Sequence, residues 1–209
     1  MNTEKETGIR IVGICGSLRH LSYTRLAVKL ALSGAEAVGA QTELIDLREY
    51  QLIFCGEVED ETRYPPDIFK LRKKVRQSQG IILGTPEYHG SFSGVLKNAM
   101  DLMGFDEFQG KVMGLVGVSG GSMGALNALT ALRTVGRQLH AWIIPQQASI
   151  PQASEAFDKN GNLQDKDLES RVIGVGREVA RFAYLLSSQQ VQEFLRLWEA
   201  APVNPGGEK

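Results

Sequence analysis

Apolar positions in this chain cluster into short solid runs, separated by stretches where they recur with helical spacing. Ile9–Cys15, Thr42–Leu47, Gly80–Gly84, Val112–Val118 and Ala141–Ile144 read as strands. Runs with so little polar alternation suit parallel strands buried on both faces. The first helix is expected from about Ser22 to Val38, with Ser22 as N-cap and Gly39 as its stop. A second, opened by Pro65-Pro66, runs from Asp67 to about Ser78, and a third covers about Gly94–Met103. A fourth covers about Met123–Leu139. The last major helix runs from about Lys166 to Ser187, with a short one beyond it to Trp198. Arg48–Tyr64 is irregular and acidic, either a solvated loop or a lid over the sheet edge. Pro145–Asp165 is irregular too, with a turn at Asp158-Lys159-Asn160-Gly161.

Strands that alternate with helices give an α/β fold with helices on both faces of the sheet. Right-handed crossovers leave few arrangements, and five units of this length predict an open doubly wound parallel sheet of order 2-1-3-4-5. One unit is expected over residues 9–200, between a flexible leader at 1–8 and a flexible tail at 201–209. No internal repeat or low-complexity linker interrupts it.

Composition narrows the class. With 43% hydrophobic and 22% charged residues among 209, the chain is a soluble globular protein with room for a sizeable core. A net charge of −1 points to neither nucleic acid nor an anionic membrane as partner. No apolar run approaches the roughly 18 residues of a membrane span, and the polar start is unlike a signal peptide. Two cysteines make no disulfide framework, so a reducing cytoplasm is the default location.

Three loops carry the chemistry. After the first strand come Gly16 and Ser17, then Arg19, then Ser22 and Thr24 at the start of a helix. A strand, a hydroxyl-rich loop and a helix N-terminus form an anion site, because unpaired helix N–H groups and the positive dipole end lie together. Ser17, Ser22 and Thr24 add hydroxyl donors, and Arg19 adds a charged fork. The Walker pattern is absent, and so is G-x-G-x-x-G. Asp46, the acid ending the second strand, lies well beyond the spacing of about 20 residues that a dinucleotide fold uses. One mononucleotide phosphate fits better. Thr85-Pro86-Glu87-Tyr88-His89-Gly90 follows the third strand and offers Tyr88 as an aromatic wall, with proline fixing the turn. Ser119-Gly120-Gly121 follows the fourth strand and lets backbone N–H groups approach a ligand. Taken singly, each loop has a plainer reading: a capped helix with an incidental arginine, an ordinary turn, the start of a helix. With order 2-1-3-4-5, however, all three meet at the switch point, where a flat heterocycle with a phosphate at one end would lie.

Gly16-Ser17-Leu18-Arg19 with Ser22 resembles the phosphate signature of the NAD(P)H-dependent FMN reductases. Thr85-Pro86-Glu87-Tyr88, then Gly90, Gly94, Leu96-Lys97-Asn98-Ala99 and Asp101, resembles their second signature. The resemblance covers about Ile9–Ser187. It implies a flavodoxin-like three-layer fold, bound FMN, and ping-pong hydride transfer from NADPH or NADH to a small acceptor. Quinones, free flavin, azo dyes, nitroaromatics and metal oxyanions are the acceptor classes of such proteins. By position, Ser17, Arg19, Ser22 and Thr24 would hold the phosphate. Pro86, Glu87, Tyr88, His89 and Gly90 would line the isoalloxazine ring, and Ser119, Gly120 and Gly121 would face its pyrimidine side. His89 stands where the family often has Asn, and Thr24 replaces another frequent Asn. No acid–base residue is required, with His89 the candidate proton donor; a lone histidine is more often only a polar group at the mouth. No metal ligands are assigned.

Two rival functions fit the residues less well. An FMN electron carrier without pyridine-nucleotide activity would commonly carry the strong steering charge that this chain lacks. A cysteine phosphatase would use Cys15 and Arg19, but C-x3-R is not the C-x5-R of the small tyrosine phosphatases. A homodimer or homotetramer is expected, with Val95, Leu96, Ala99, Met100, Leu102 and Met103 giving the third helix apolar surface for a mate. The plainer account is a well-buried core helix.

Overall fold

The computed structural model describes residues 8–200. Apart from Gly8, the expected leader and the tail lie outside the described residues. Strand β1 (Arg10–Cys15) is central, paired in parallel with β2 (Gln41–Asp46) and with β3 (Gly80–Tyr88). Beyond β3 come β5 (Val112–Val118) and β6 (Trp142–Ile150), also parallel. The order β2-β1-β3-β5-β6 is the expected 2-1-3-4-5 winding, with one addition. That addition is β4 (Ser91–Phe92), a two-residue strand antiparallel to the end of β3.

Helices α1 (Tyr23–Glu36) and α7 (Lys166–Ser187) cover one face, around Ile11, Ile82, Val116 and Val175. They cross at van der Waals range: a Cβ on Gly34 would fall 2.1 Å from the Ile173 carbonyl, and one on Gly176 only 1.7 Å from that of Ala31. Glycine is required at both positions by close approach. Helices α2 (Pro66–Arg76), α3 (Gly94–Asp101) and α5 (Leu126–Gln138) enclose the other face, around Ile14, Ile81, Leu83 and Leu115. Short α4 (Phe105–Phe108) and α6 (Ala153–Ala156) lie in connections, and α8 (Gln189–Glu199) follows α7.

Three expectations change. Strand β3 does not end at Gly84 but runs through Pro86 to Tyr88, so that proline is not the exit turn. The last β1–β3 pair is Cys15 with Gly84; beyond it that side of β3 is open, where a residue without N–H is tolerated. The turn begins three residues after that proline, at His89 and Gly90, whose φ values are +51° and +76°. A two-residue connection with positive φ at both positions is the type I′ hairpin. Strand β6 likewise continues past Pro145, as an edge strand with a bulge between the pairs Met113–Ile143 and Leu115–Gln147. Arg133 ties the bulge down, donating to the carbonyls of Ile144 at 3.1 Å and Pro145 at 2.9 Å.

The third correction concerns α3 and its surroundings. Leu96, Ala99, Met100, Leu102 and Met103 are buried within the chain's own core and Val95 is half-buried against it, so the chain itself covers most of the apolar side of α3. The Arg48–Tyr64 loop is strapped down across α2 and α3. Asn98 accepts from the Cys55 N–H at 2.9 Å and donates to the Ile53 carbonyl at 2.8 Å, while Asp67 accepts from the Gln51 N–H.

Candidate functional site

Parallel pairing puts the ends of β1, β3 and β5 on one edge of the sheet, and hydrogen bonds join the first two of the loops that follow them to each other and the third to β6. The Gly16 N–H donates to the Gly84 carbonyl at 2.8 Å, and the Ser119 N–H to the Ile150 carbonyl at 2.9 Å. Ser93, the N-cap of α3, does most of the tying. Its Oγ donates to the Gly16 carbonyl at 2.6 Å and accepts from the Leu96 N–H. Its own N–H donates to Thr85 Oγ1 at 3.0 Å. The first and second loops are therefore one unit.

The α1 start leaves backbone donors open. Ser22 caps it, its Oγ accepting from the Arg25 N–H at 3.2 Å, while the N–H groups of Tyr23 and Thr24 have no partner within the helix. Ser17 and Thr24 are buried beside it, whereas Arg19 is exposed. Eight polar or charged residues are buried among the described residues. Six of them, Ser17, Ser22, Thr24, Asp46, Thr85 and Ser93, lie at this edge. Buried polar groups cost stability unless they are satisfied, and among the described residues no buried side-chain polar atom lacks a hydrogen-bond partner, so a polar layer is built into this edge.

The other predicted residues divide. Pro86 is buried within β3, while Tyr88, His89 and Gly90 form the exposed hairpin tip. The Glu87 carboxylate is committed elsewhere: it accepts from the Ala128 N–H at 3.0 Å and from Asn127 Nδ2 at 3.4 Å, capping α5, whose own N-cap residue Ala125 offers no side-chain bond. Ser119 Oγ accepts from the Gly121 N–H at 3.0 Å, so this hydroxyl shapes its own turn. A Cβ on Gly94 or on Gly120 would meet nothing within 4 Å, and neither residue has a positive φ. Neither packing nor backbone conformation demands glycine there. Gly104 and Gly174 are equally open, so the space is not peculiar to this edge, but it leaves nothing at Gly94 or Gly120 to obstruct a ring such as that of FMN.

Sequence reasoning missed the residues that brace the first two loops, Ser93, Arg25 and Asp46, and Asn98, which holds the Ile53–Cys55 strap. Arg25 carried a readable signal, being a basic residue in the first turn of a helix, the unfavourable end for positive charge. Cys15 is fully buried, and burial pushes its thiol up, the opposite of what a thiolate nucleophile needs. The phosphatase reading ends there.

Fold and strand order define a flavodoxin-type α/β protein whose three distinctive loops meet at one end of the sheet. The chain belongs to the NADPH-dependent FMN reductase family, whose sequence model matches residues 9–155. It is 32% identical over 183 residues to the NADPH-dependent FMN reductase ArsH of Shigella flexneri, covering 85% of this chain and 70% of that one. It is 32% identical over 163 residues to the FMN-dependent NADPH-azoreductase of Staphylococcus aureus strain USA300, covering 76% and 86%. Among solved structures, FerB, a flavoenzyme NAD(P)H:(acceptor) oxidoreductase from Paracoccus denitrificans, shares the fold with TM-score 0.71 at 21% identity, over 85% of this chain and 98% of that one. The apo form of the NADH:FMN oxidoreductase EMOB gives 0.68 at 22%, over 87% and 91%. The protein is thus an FMN-dependent NAD(P)H oxidoreductase, and the electron-carrier alternative is not favoured. Among the described residues no helix is long and apolar enough to cross a membrane.

Proposed function

We propose that the crevice binds FMN with its phosphate at the α1 N-terminus and its ring between the β3–β4 hairpin and the Ser119–Gly121 turn. When bound, FMN supplies the hydride chemistry, accepting from NAD(P)H and giving two electrons to a small acceptor. Ser17, Ser22 and Thr24 offer hydroxyls and Arg19 a guanidinium to the phosphate. Tyr88 walls the ring, and Gly94 and Gly120 leave it room. Backbone N–H groups near Gly120 stabilise charge on the pyrimidine side, while the Gly121 N–H stays with Ser119 Oγ. One face is left for the nicotinamide and then for the acceptor, which take turns. His89 serves the hairpin: histidine, like asparagine, is among the residues that tolerate positive φ.

The observation that carries this reading is the meeting of the three loops at the carboxyl ends of neighbouring strands β1, β3 and β5, with six of the eight buried polar side chains beside them. The acceptor we propose is a small oxidised molecule such as an azo compound, the class named for the Staphylococcus aureus relative. Two free cysteines, one of them exposed, suit a cytoplasmic setting. A homodimer or homotetramer is part of the proposal, with a contact other than the buried side chains of α3, and its mass at micromolar concentration tests it.

The absorbance spectrum of the purified protein, followed by anaerobic mixing with NADPH and with NADH, tests the whole. Yellow protein that bleaches is expected. Colourless protein that takes up no added FMN overturns the reading. Gly120→Val sharpens the test: the apo protein should melt as wild type does while FMN binding weakens, and unchanged FMN binding would remove Gly120 from the site.

A further inference from the structure

We infer that Arg25, held by Asp46, is a positioning residue that sets the phosphate loop from behind without touching the phosphate. This inference rests on the FMN reading above. Arg25 occupies the first turn of α1, where a positive charge opposes the helix dipole, so helix stability does not explain it. Its side chain is only 12% exposed, and each of its three guanidinium nitrogens has a partner. Nε donates to Asp46 Oδ2 at 2.6 Å, Nη1 to the His20 carbonyl at 3.0 Å, and Nη2 to the Arg19 carbonyl at 3.1 Å. One planar fork therefore fixes two consecutive peptide units of the loop that carries Arg19.

The consequence follows from peptide geometry. In a trans peptide the C=O and the following N–H point opposite ways. With the Arg19 and His20 carbonyls drawn to Arg25, the N–H groups of His20 and Leu21 point away from it. An anion loop needs this polarity, with carbonyls turned away and N–H groups available. The Arg19 side chain is exposed and free to reach outward.

Asp46 makes the brace stiff. It ends β2, its side chain is 5% exposed, and it also accepts from Arg48 Nη2 at 2.9 Å and from the Arg48 N–H at 3.2 Å. Because β2 pairs with β1 up to Cys15–Asp46, this carboxylate sits level with the start of the phosphate loop. The acid therefore anchors a guanidinium, and has no need of a ribose to account for it.

Equilibrium binding of FMN and of riboflavin to the apo protein, with its melting temperature, tests the brace. Riboflavin lacks the phosphate, so a phosphate-loop defect should spare it. Arg25→Met keeps the length of the stem and loses the fork; losing charge-assisted bonds predicts about 10–100-fold weaker FMN binding, with riboflavin within about threefold. Arg25→Lys keeps the charge but cannot bridge both carbonyls, and should rescue little of the loss. Asp46→Asn decides the mechanism. Removing a negative charge near a phosphate would tighten FMN binding by electrostatics alone, whereas loosening the brace weakens it. Weaker FMN binding in Asp46→Asn with riboflavin unchanged supports the brace. Tighter binding, equal losses for both ligands, or full rescue by lysine each overturns it. Wild-type protein that binds neither flavin refutes the FMN reading itself, so the two failures are distinguishable.

Discussion

Ser93→Ala removes one oxygen that joins two loops, and its cost can be worked bond by bond. Ser93 Oγ accepts from the Leu96 N–H as the N-cap of α3, and losing such a cap costs about 1 kcal/mol. The same oxygen donates to the Gly16 carbonyl at 2.6 Å in a buried setting, and a buried acceptor left without its donor costs about 1–3 kcal/mol. The Ser93 N–H to Thr85 Oγ1 bond belongs to the backbone and survives the substitution. The expected loss is therefore about 2–4 kcal/mol. At roughly 2–4 °C per kcal/mol for a chain of this size, the apo protein should melt about 5–15 °C lower.

Urea unfolding of the apo protein, followed by circular dichroism, measures the free energy directly. Ser33→Ala is the control, because its hydroxyl is exposed and bonds only to the Leu30 carbonyl one turn back. A Ser93→Ala loss no larger than the control would refute the account, since it would mean that neither the cap nor the Gly16 bond is worth its geometry. FMN binding should weaken as well, because Gly16 precedes Ser17 and its carbonyl would be free to turn.

Other predictions follow from the same edge. Glu87→Ala should destabilise the apo protein by about 1–2 kcal/mol in urea unfolding, because the Ala128 N–H in the first turn of α5 loses its carboxylate cap, and Glu87→Gln should cost less. His89→Asn should leave stability and turnover unchanged, while His89→Val should cost about 1–2 kcal/mol from strain at φ +51°; a tenfold fall in kcat for His89→Asn would restore its role as proton donor. Burial works against ionisation of Asp46, but the bonds from Arg48 and Arg25 outweigh it and hold the carboxyl below the usual range. A carboxyl held low contributes stability that is complete above about pH 4 and lost as pH falls toward its folded pKa. Unfolding free energy should therefore drop more steeply below pH 4 in wild type than in Asp46→Asn.

The fold was legible because parallel strands buried on both faces announce themselves as apolar runs. The converging loops were legible because winding order fixes which strand ends are neighbours. Strand ends were misjudged at Pro86 and Pro145, where proline reads as a break. Both stretches are edges on one side, at Pro86 because β1 has already ended and at Pro145 because β6 is outermost. The bulge that carries β6 onward is held by Arg133, from a helix, and no local pattern announces that. In the sequence the apolar side of α3 looks like surplus, because burial by its own neighbours, Tyr64, Ile68 and Phe108 among them, is a tertiary fact. The brace Arg25–Asp46 and the tie Ser93–Gly16 span 21 and 77 positions, distances at which spacing carries no signal.

A division of labour within the signatures follows from these bonds. Ser22 Oγ holds the Arg25 N–H, Ser119 Oγ holds the Gly121 N–H, and the Glu87 carboxylate holds the Ala128 N–H. Each is a polar group that sequence reading assigns to the ligand, and each already has a partner in the chain. Asn98, in the second signature, is spent in the same way on the Ile53–Cys55 strap. A signature residue can thus earn its place by shaping the crevice. Groups that shape it should shift apo stability when removed, whereas Gly120 and the exposed Arg19 should shift flavin binding alone. If Arg19→Ala lowered apo stability as much as Ser93→Ala, or Glu87→Ala left it untouched, this division would be wrong.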